Sequence, residues 1–269
     1  MSVDQYRVTS AAGFSLAQFS PGDTSAFEGS RDEAKKHLKN LRKELAELQF
    51  LLWAEDKHKL LVVLQAMDTG GKDGTIRNVF KGVNPQGVWV TNFKAPTAEE
   101  LAHDYLWRVH PHAPGNGEIV VFNRSHYEDV LVVRVLDLVP SQRWGRRYDH
   151  IVDFEQRLVD EGTTIVKIYL NISKDEQAGR LQARLDDPER NWKFNAGDLD
   201  HRKLWDEYMA AYEDAIARTA TATAPWYVVP ANAKWHRNIV VTQILVDTLK
   251  ALDMKFPEPE AGLDTIVIE

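Results

Sequence analysis

The chain has 269 residues, 43% hydrophobic and 27% charged, enough for one large α/β domain or a core domain with a smaller lid. It contains no cysteine, which excludes disulfides, thiolate metal ligands and a cysteine nucleophile. A net charge of −7 argues against general nucleic-acid binding. The charge is nevertheless segregated. Asp4, Asp23, Glu28, Glu258, Glu260, Asp264 and Glu269 lie toward the ends, and Arg143, Arg146 and Arg147 in the middle, so a locally positive cleft remains compatible with it.

Residues 1–30 are rich in Ser, Gly, Thr and Ala, lack periodicity and are expected to form an arm. No basic start followed by an apolar run suggests a signal peptide, and no stretch approaches the ~18 apolar residues of a membrane span. The expected address is the cytoplasm, with no membrane partner. In residues 31–56, Leu38, Leu41, Leu45, Leu48, Leu51 and Leu52 recur at helical spacing among charges, which predicts an amphipathic helix.

An alternation of apolar strands and helices follows. Strands are expected at Leu60–Gln65, Val88–Phe93, Ile119–Phe122, Thr164–Ile172 and Trp226–Val229. Helices are expected from about Gly74, over Ala98–Val109, from about His126, over Asp175–Leu185 and over Ala233–Leu252. Strands without polar alternation, each followed by a helix, predict a three-layer α/β sandwich around a parallel sheet. Leu138–Glu161 and Asp186–Asp214 do not fit the alternation. Residues 31–254 are therefore read as one P-loop kinase-like domain with helical lid elements around 138–161 and 186–214, and residues 255–269 as a tail on the surface.

The decisive segment is Gln65-Ala66-Met67-Asp68-Thr69-Gly70-Gly71-Lys72-Asp73-Gly74-Thr75. It follows an apolar strand and precedes a helix, the setting in which backbone N–H groups of a glycine turn face phosphate oxygens. Thr69, Gly70, Gly71, Asp73, Gly74 and Thr75 are expected to cradle phosphate, and Lys72 to reach a terminal one. The pattern departs from the common P-loop at two positions, Ala66 for the first glycine and Asp73 for the metal-binding hydroxyl. Asp68 then becomes the expected metal ligand, since a carboxylate beside phosphates needs a cation.

A second motif, Asn123-Arg124-Ser125-His126-Tyr127-Glu128, ends the third strand. Arg124 is placed to stabilise a transferring phosphoryl group, and Glu128 lies one helical turn beyond it. Basic residues recur after strand ends: Arg77 and Lys81, Lys94, Arg180 and Arg184, then Lys193. Together they suggest a cationic track suited to a chain of phosphates. Arg134 joins the phosphate- or nucleotide-binding set. His103, His110 and His112 lack a zinc-site spacing and are read as structural or surface residues.

These segments, QAMDTGGKDGTIRNVFKGVNPQGV, TNFKAPTAEELAHDYLWRVHPHAPGNGEIVVFNRSHYEDVLVVRV and EQAGRLQARLDDPERNWKFNAGDL, resemble the polyphosphate kinase 2 family, in particular its third class, from about Glu47 to Leu252. The resemblance implies a thymidylate-kinase-like P-loop core with a helical lid, and transfer between inorganic polyphosphate and AMP or ADP, with GDP as a further candidate. It implies Mg²⁺, with Mn²⁺ as an alternative, and a homodimer or homotetramer. Asp68 matches the family's metal-binding Asp and Lys72 its lysine. Arg124 matches its arginine after the second metal position, and Arg180, Arg184 and Lys193 its basic lid residues. Asn123 stands where many members have Asp, and Glu128 where those members lack an acid, so Asn123 and Glu128 are candidate ligands of a second metal. Two other readings of the residues remain: an ATP-dependent nucleotide or small-molecule kinase of the same fold, and a non-catalytic nucleotide-binding module.

Overall fold

The apolar runs form one six-stranded sheet. The computed structural model describes residues 2–263 and 266–268; Asp264 and Glu269 of the acidic tail lie outside the described residues. In chain order the elements begin with β1 (Arg7–Val8), α1 (Arg31–Glu55), β2 (Lys59–Gln65), α2 (Lys72–Val79), β3 (Val88–Asn92), α3 (Ala98–Ala102) and β4 (Ile119–Asn123). They continue with α4 (Val132–Val135), α5 (Ser141–Asp160), β5 (Thr163–Asn171) and α6 (Lys174–Leu185). The last are α7 (Gly197–Lys203), α8 (Trp205–Thr219), β6 (Trp226–Pro230) and α9 (Lys234–Lys250).

The strand order is β1-β6-β5-β2-β4-β3. Every pairing is parallel except β1 with β6, so the sheet is mostly parallel with one antiparallel edge. β1 is only two residues long and carries no periodic signal; it draws the N-terminal arm onto the sheet and buries Val3, Tyr6 and Val8. Leu64 pairs with Asn123, Asn123 with Asn92, and Gln65 with Tyr169. The carboxyl ends of β2, β3 and β4 are therefore flush to within a residue, β5 runs two residues further, and the loops leaving them share one edge.

α2 packs with α1 and α9 in one helical layer, and α4, α5 and α8 pack together in another. With helices on both faces, β2, β4 and β6 are buried almost throughout, which is why they read as continuous apolar runs. α1 begins with a capping box: Ser30 Oγ accepts from the Glu33 N–H, and the Glu33 carboxylate accepts from the Ser30 N–H at 2.7 Å. α5 buries Tyr148, Ile151, Phe154 and Leu158, so this stretch, expected among the lid elements, builds the inner layer of the core.

Two boundaries differ from expectation for local reasons. The helix expected over Ala98–Val109 stops at Ala102, because the Asp104 carboxylate accepts the Leu106 N–H and turns the chain. After β4 comes a single 3-10 turn, His126–Asp129, before α4. The tail beyond α9 lies against α1, where the Lys255 N–H donates to Glu55 and the Phe256 ring stands 6.2 Å from Phe50. Among the described residues, no helix is long and apolar enough to cross a membrane.

A charged network runs through the core. Lys167 Nζ donates to Glu155 Oε2 at 2.5 Å and to Thr219 O at 2.7 Å. Tyr127 OH donates to Glu155 Oε1, and Trp226 Nε1 to Thr219 Oγ1. Glu155→Gln leaves the fully buried Lys167 ammonium without its counter-charge. Urea denaturation is expected to show a loss of about 3 kcal/mol or more, with the double variant Glu155→Gln/Lys167→Met losing less than the single one.

Candidate active site

The phosphate loop leaves β2 at the flush edge and enters α2. Its backbone bends through positive φ at Thr69 (61°) and Gly71 (102°). Gly71 is required twice over: that φ disfavours a side chain, and a Cβ there would run into the Arg237 guanidinium. Gly71→Ala is expected to cost about 1–3 kcal/mol, read as a shift of the denaturation midpoint, and to weaken phosphate binding by displacing Arg237. The helix starts at Lys72 rather than Gly74, with Gly71 as its N-cap and no side chain capping it. Its first N–H groups are thus left to a ligand. Thr75 Oγ1 is turned inward, donating to Gly71 O at 3.0 Å, so it braces the loop.

Lys72 Nζ donates to Ala66 O at 2.8 Å across the loop. Burial and Arg124 push its ammonium below the ordinary lysine value, while Asp68, Glu128 and Asp73 pull it back. Asp68 sits between two partners: Arg124 Nη2 donates to its Oδ1 at 2.8 Å, and His201 Nδ1 to its Oδ2 at 2.7 Å. Burial raises its pKa, but the His201 hydrogen bond and the charges of Lys72 and Arg124 outweigh this and hold the carboxyl at about 2. Arg124 itself has φ of 60°, and its N–H donates to Leu64 O. A non-glycine residue fixed in that region signals a backbone constrained for function.

Asn123 Nδ2 donates to Asp73 Oδ1 at 2.8 Å and to Asn92 Oδ1 at 2.6 Å, so it orients Asp73 over the site. Glu128 lies outside the cavity wall, behind Lys72 and Arg124. The Gln65 amide, assigned to satisfy both of its neighbours, donates to Glu128 Oε1 at 3.0 Å. Its charge raises the pKa of Arg124 and steadies the positive charge of Lys72.

Arg180 is engaged differently from the sequence expectation. Nε donates to Glu176, Nη1 to Thr69 O and Gly70 O, and Nη2 to Ala231 O and Asn232 O. It lines the cavity as expected, but its donors are spent on Glu176 and on carbonyls of the phosphate loop and of the loop after β6, so it clamps the two loops together. Arg184 and Lys193 both line the cavity; Arg184 Nη1 donates to Lys193 O and faces Asp198 at 3.3 Å. Arg77 and Lys94 also line it. Lys81 is exposed on the turn after α2, outside the wall. Arg134 is not brought to the site: it binds Tyr148 OH and Asp214 and stacks on Trp144 at 4.9 Å.

The structure adds residues that the sequence left unmarked. His201 comes from α7 and Arg237 from α9. Arg237 is nine-tenths or more buried, and burial followed by the neighbouring Arg180 charge pushes its pKa down to about 10. The one available signal for Arg237 was its place just inside the helix that follows the last strand. His201 had none, because its partner Asp68 is far away in sequence.

The resulting cavity has a volume of about 1190 Å³ and is lined by ten Lys and Arg against five Asp and Glu. That excess, in a protein of net charge −7, marks a site for a ligand of several negative charges. Among the described residues no group of three or more His, Asp or Glu could hold a metal by itself. Asp68 and Asp73 on the phosphate loop instead suit Mg²⁺, which is commonly held by one or two carboxylates together with substrate phosphates and water.

Comparison with known proteins agrees with this geometry. The model of the polyphosphate kinase 2 family matches residues 28–257. The chain is 60% identical over 265 residues to the AMP/ADP-polyphosphate phosphotransferase of Meiothermus ruber, covering 98% of this chain and 99% of that one. It is 43% identical to the ADP-polyphosphate phosphotransferase of Rhodopseudomonas palustris, covering 94% of this chain and 92% of that one. The crystal structure of polyphosphate kinase 2 from Arthrobacter aurescens superposes with a TM-score of 0.94 at 47% identity, covering 97% of this chain and 93% of that one. A family match across most of the sequence, joined to a fold that superposes nearly end to end, establishes that the chain belongs to the polyphosphate kinase 2 family.

Proposed function

We propose that this protein transfers the terminal phosphoryl group of inorganic polyphosphate to AMP and ADP, making ADP and ATP. The observation that carries this reading is the cavity: a phosphate loop at one wall, a surplus of cationic side chains, and a volume above the 300–1,000 Å³ of ordinary small-molecule sites. The relatives' names supply the donor and acceptors.

The attacking atom is a phosphate oxygen of the acceptor nucleotide, already ionised at neutral pH, so no general base is required. Its lone pair forms the new P–O bond to the terminal phosphorus of the donor. The bridging P–O bond breaks, and the shortened polyphosphate leaves with that electron pair. The protein's task is to hold two polyanions in line and cancel their repulsion. The free N–H groups of α2 and Lys72 grip phosphate oxygens, and Arg124 faces the transferring group. Arg184 and Lys193 approach from the lid segment, where Trp192, 77% exposed, offers a stacking surface for the base. Mg²⁺, with Mn²⁺ able to replace it, would be held by Asp68 and Asp73 and would supply charge neutralisation of the phosphates. The Asp68 carboxylate is ionised and ready for this, and Arg124 and His201 stand in for a cation beside it.

The same reading extends to guanine nucleotides as secondary acceptors, to a cytoplasmic setting and to a homo-oligomer. The exposed cluster of Phe50 and Trp53 on α1 with Phe256 of the tail supports self-association. Polyphosphate and Mg²⁺ supplied in turn with AMP, ADP and GDP, with nucleotide products separated by chromatography, tests the proposal. Di- and triphosphates appear and a chelator abolishes them if it is right; unchanged nucleotides would refute it.

A further inference from the structure

The basic residues of α1 take no part in the chemistry above, and they are not spread evenly. At 3.6 residues per turn, Arg31, Lys35, Lys39 and Arg42 fall within an arc of roughly 80° beside the buried stripe of Ala34, Leu41 and Leu45. The acids of the helix are mostly engaged elsewhere. Glu33 caps the N-terminus, and Glu44 pairs with Lys250 of α9 at 2.5 Å. Asp32 alone comes near, bound to Lys35 at 2.8 Å. Lys39 is exposed and pairs with no carboxylate among the described residues.

Both ends of this stripe touch the wall of the catalytic cavity. The Arg31 guanidinium lies 5.3 Å from the centre of the Trp235 ring, and Trp235 lines the cavity. Arg42 Nη2 donates to Asn78 Oδ1 at 3.2 Å, and Asn78 Nδ2 donates to Gly74 O of the phosphate loop at 2.7 Å. Asn78 and Gly74 line the cavity as well, and Lys81 follows on the exposed turn just beyond α2. Arg42 Nε is buried with no hydrogen-bond partner, which costs about 1–3 kcal/mol. From Arg31 to Arg42 the stripe runs about 16 Å.

Resting on the polyphosphate reading above, we propose that the strip of surface joining α1 to α2 at the Arg42–Asn78 contact acts as a furrow that carries the part of the polyphosphate chain that projects out of the cavity, with Arg42, Lys39 and Lys81 as its anchors. A linear polyanion is the ligand that can occupy the phosphate loop and this furrow at once; a nucleotide ends before it. The furrow acts on the affinity for long chains and leaves the transfer step untouched.

The test is steady-state ATP formation from ADP, with tripolyphosphate and with long-chain polyphosphate as donors. In Arg42→Ala the KM for long chains is expected to rise roughly tenfold, and in the exposed Lys39→Ala roughly threefold. Both effects shrink as salt is added. In Lys39→Ala the KM for tripolyphosphate, the KM for ADP and kcat stay put. An equal change for both donors, or no change for either, overturns the furrow. Lys39→Ala removes only an exposed side chain, so it keeps the test decisive should Arg42→Ala fold poorly. A wild type that makes no ATP from either donor would instead sink the polyphosphate reading, a result distinct from an active wild type indifferent to both substitutions.

Discussion

Arg124→Ala is expected to lower kcat/KM for phosphoryl transfer by about 10³-fold, with the fold intact. The magnitude follows from what the side chain faces. Arg124 lines the cavity, its guanidinium reaches Asp68 at 2.8 Å, and Glu128 and Asp68 hold its charge against burial. In the transition state its donors would meet charge developing on the transferring phosphoryl group, where no solvent reorganisation is needed. If Arg124 served only its ion pair with Asp68, the loss would be within tenfold and would show as stability. Two companion variants separate these cases. Arg124→Gly relieves the positive φ and is expected to be at least as stable as Arg124→Ala yet equally inactive. Arg124→Lys keeps the charge without the planar fork and should fall between.

Asp68→Asn is expected to lower kcat/KM by about 10²-fold or more. Asparagine keeps the shape and can still accept from Arg124, so the difference isolates the negative charge. A loss due to a weakened Mg²⁺ site is partly recovered by raising Mg²⁺, whereas a loss due to misplaced Arg124 and His201 is not. The pH dependence supplies a second readout. The folded carboxyl is held at about 2, below its ordinary value, so its ionisation contributes roughly 2 kcal/mol that is fully present above the ordinary carboxylate range. That contribution is lost as pH falls through the ordinary carboxylate range toward 2. Acid unfolding of the wild type should therefore carry a steeper stability loss in that window than Asp68→Asn shows.

The cradle was legible because each of its signals is local. A fully apolar strand, a glycine turn and an amphipathic helix lie within one stretch of chain, and the placement of Asp68, Lys72 and Asp73 follows directly. Arg124 was legible for the same reason, since it follows a strand end. The spread of basic residues was legible only as a tendency. Spacing of four put Arg180 and Arg184 on one helix face and both line the cavity, but their duties diverge through contacts with segments distant in sequence: Arg180 spends its donors on the carbonyls of two loops, whereas Arg184 binds Lys193 O and Asp198 of the lid segment. Arg134 shows the same limit, because Asp214 and Tyr148 claim it from other helices. His201 and Arg237 belong to the site only through tertiary contacts. The helix that stops at Ala102 failed to follow its periodicity because one aspartate side chain offered the backbone a competing hydrogen bond.

The central claim is that polyphosphate, and not a nucleoside triphosphate, is the phosphoryl donor. The direct measurement is ATP formation by the purified protein from ADP and Mg²⁺ with long-chain polyphosphate as sole donor, followed by a luminescent ATP assay. The account predicts ATP that rises with time and protein concentration, and that is lost in Arg124→Ala and Asp68→Asn. No ATP under these conditions, from a protein that phosphorylates an acceptor once ATP is supplied, would contradict it.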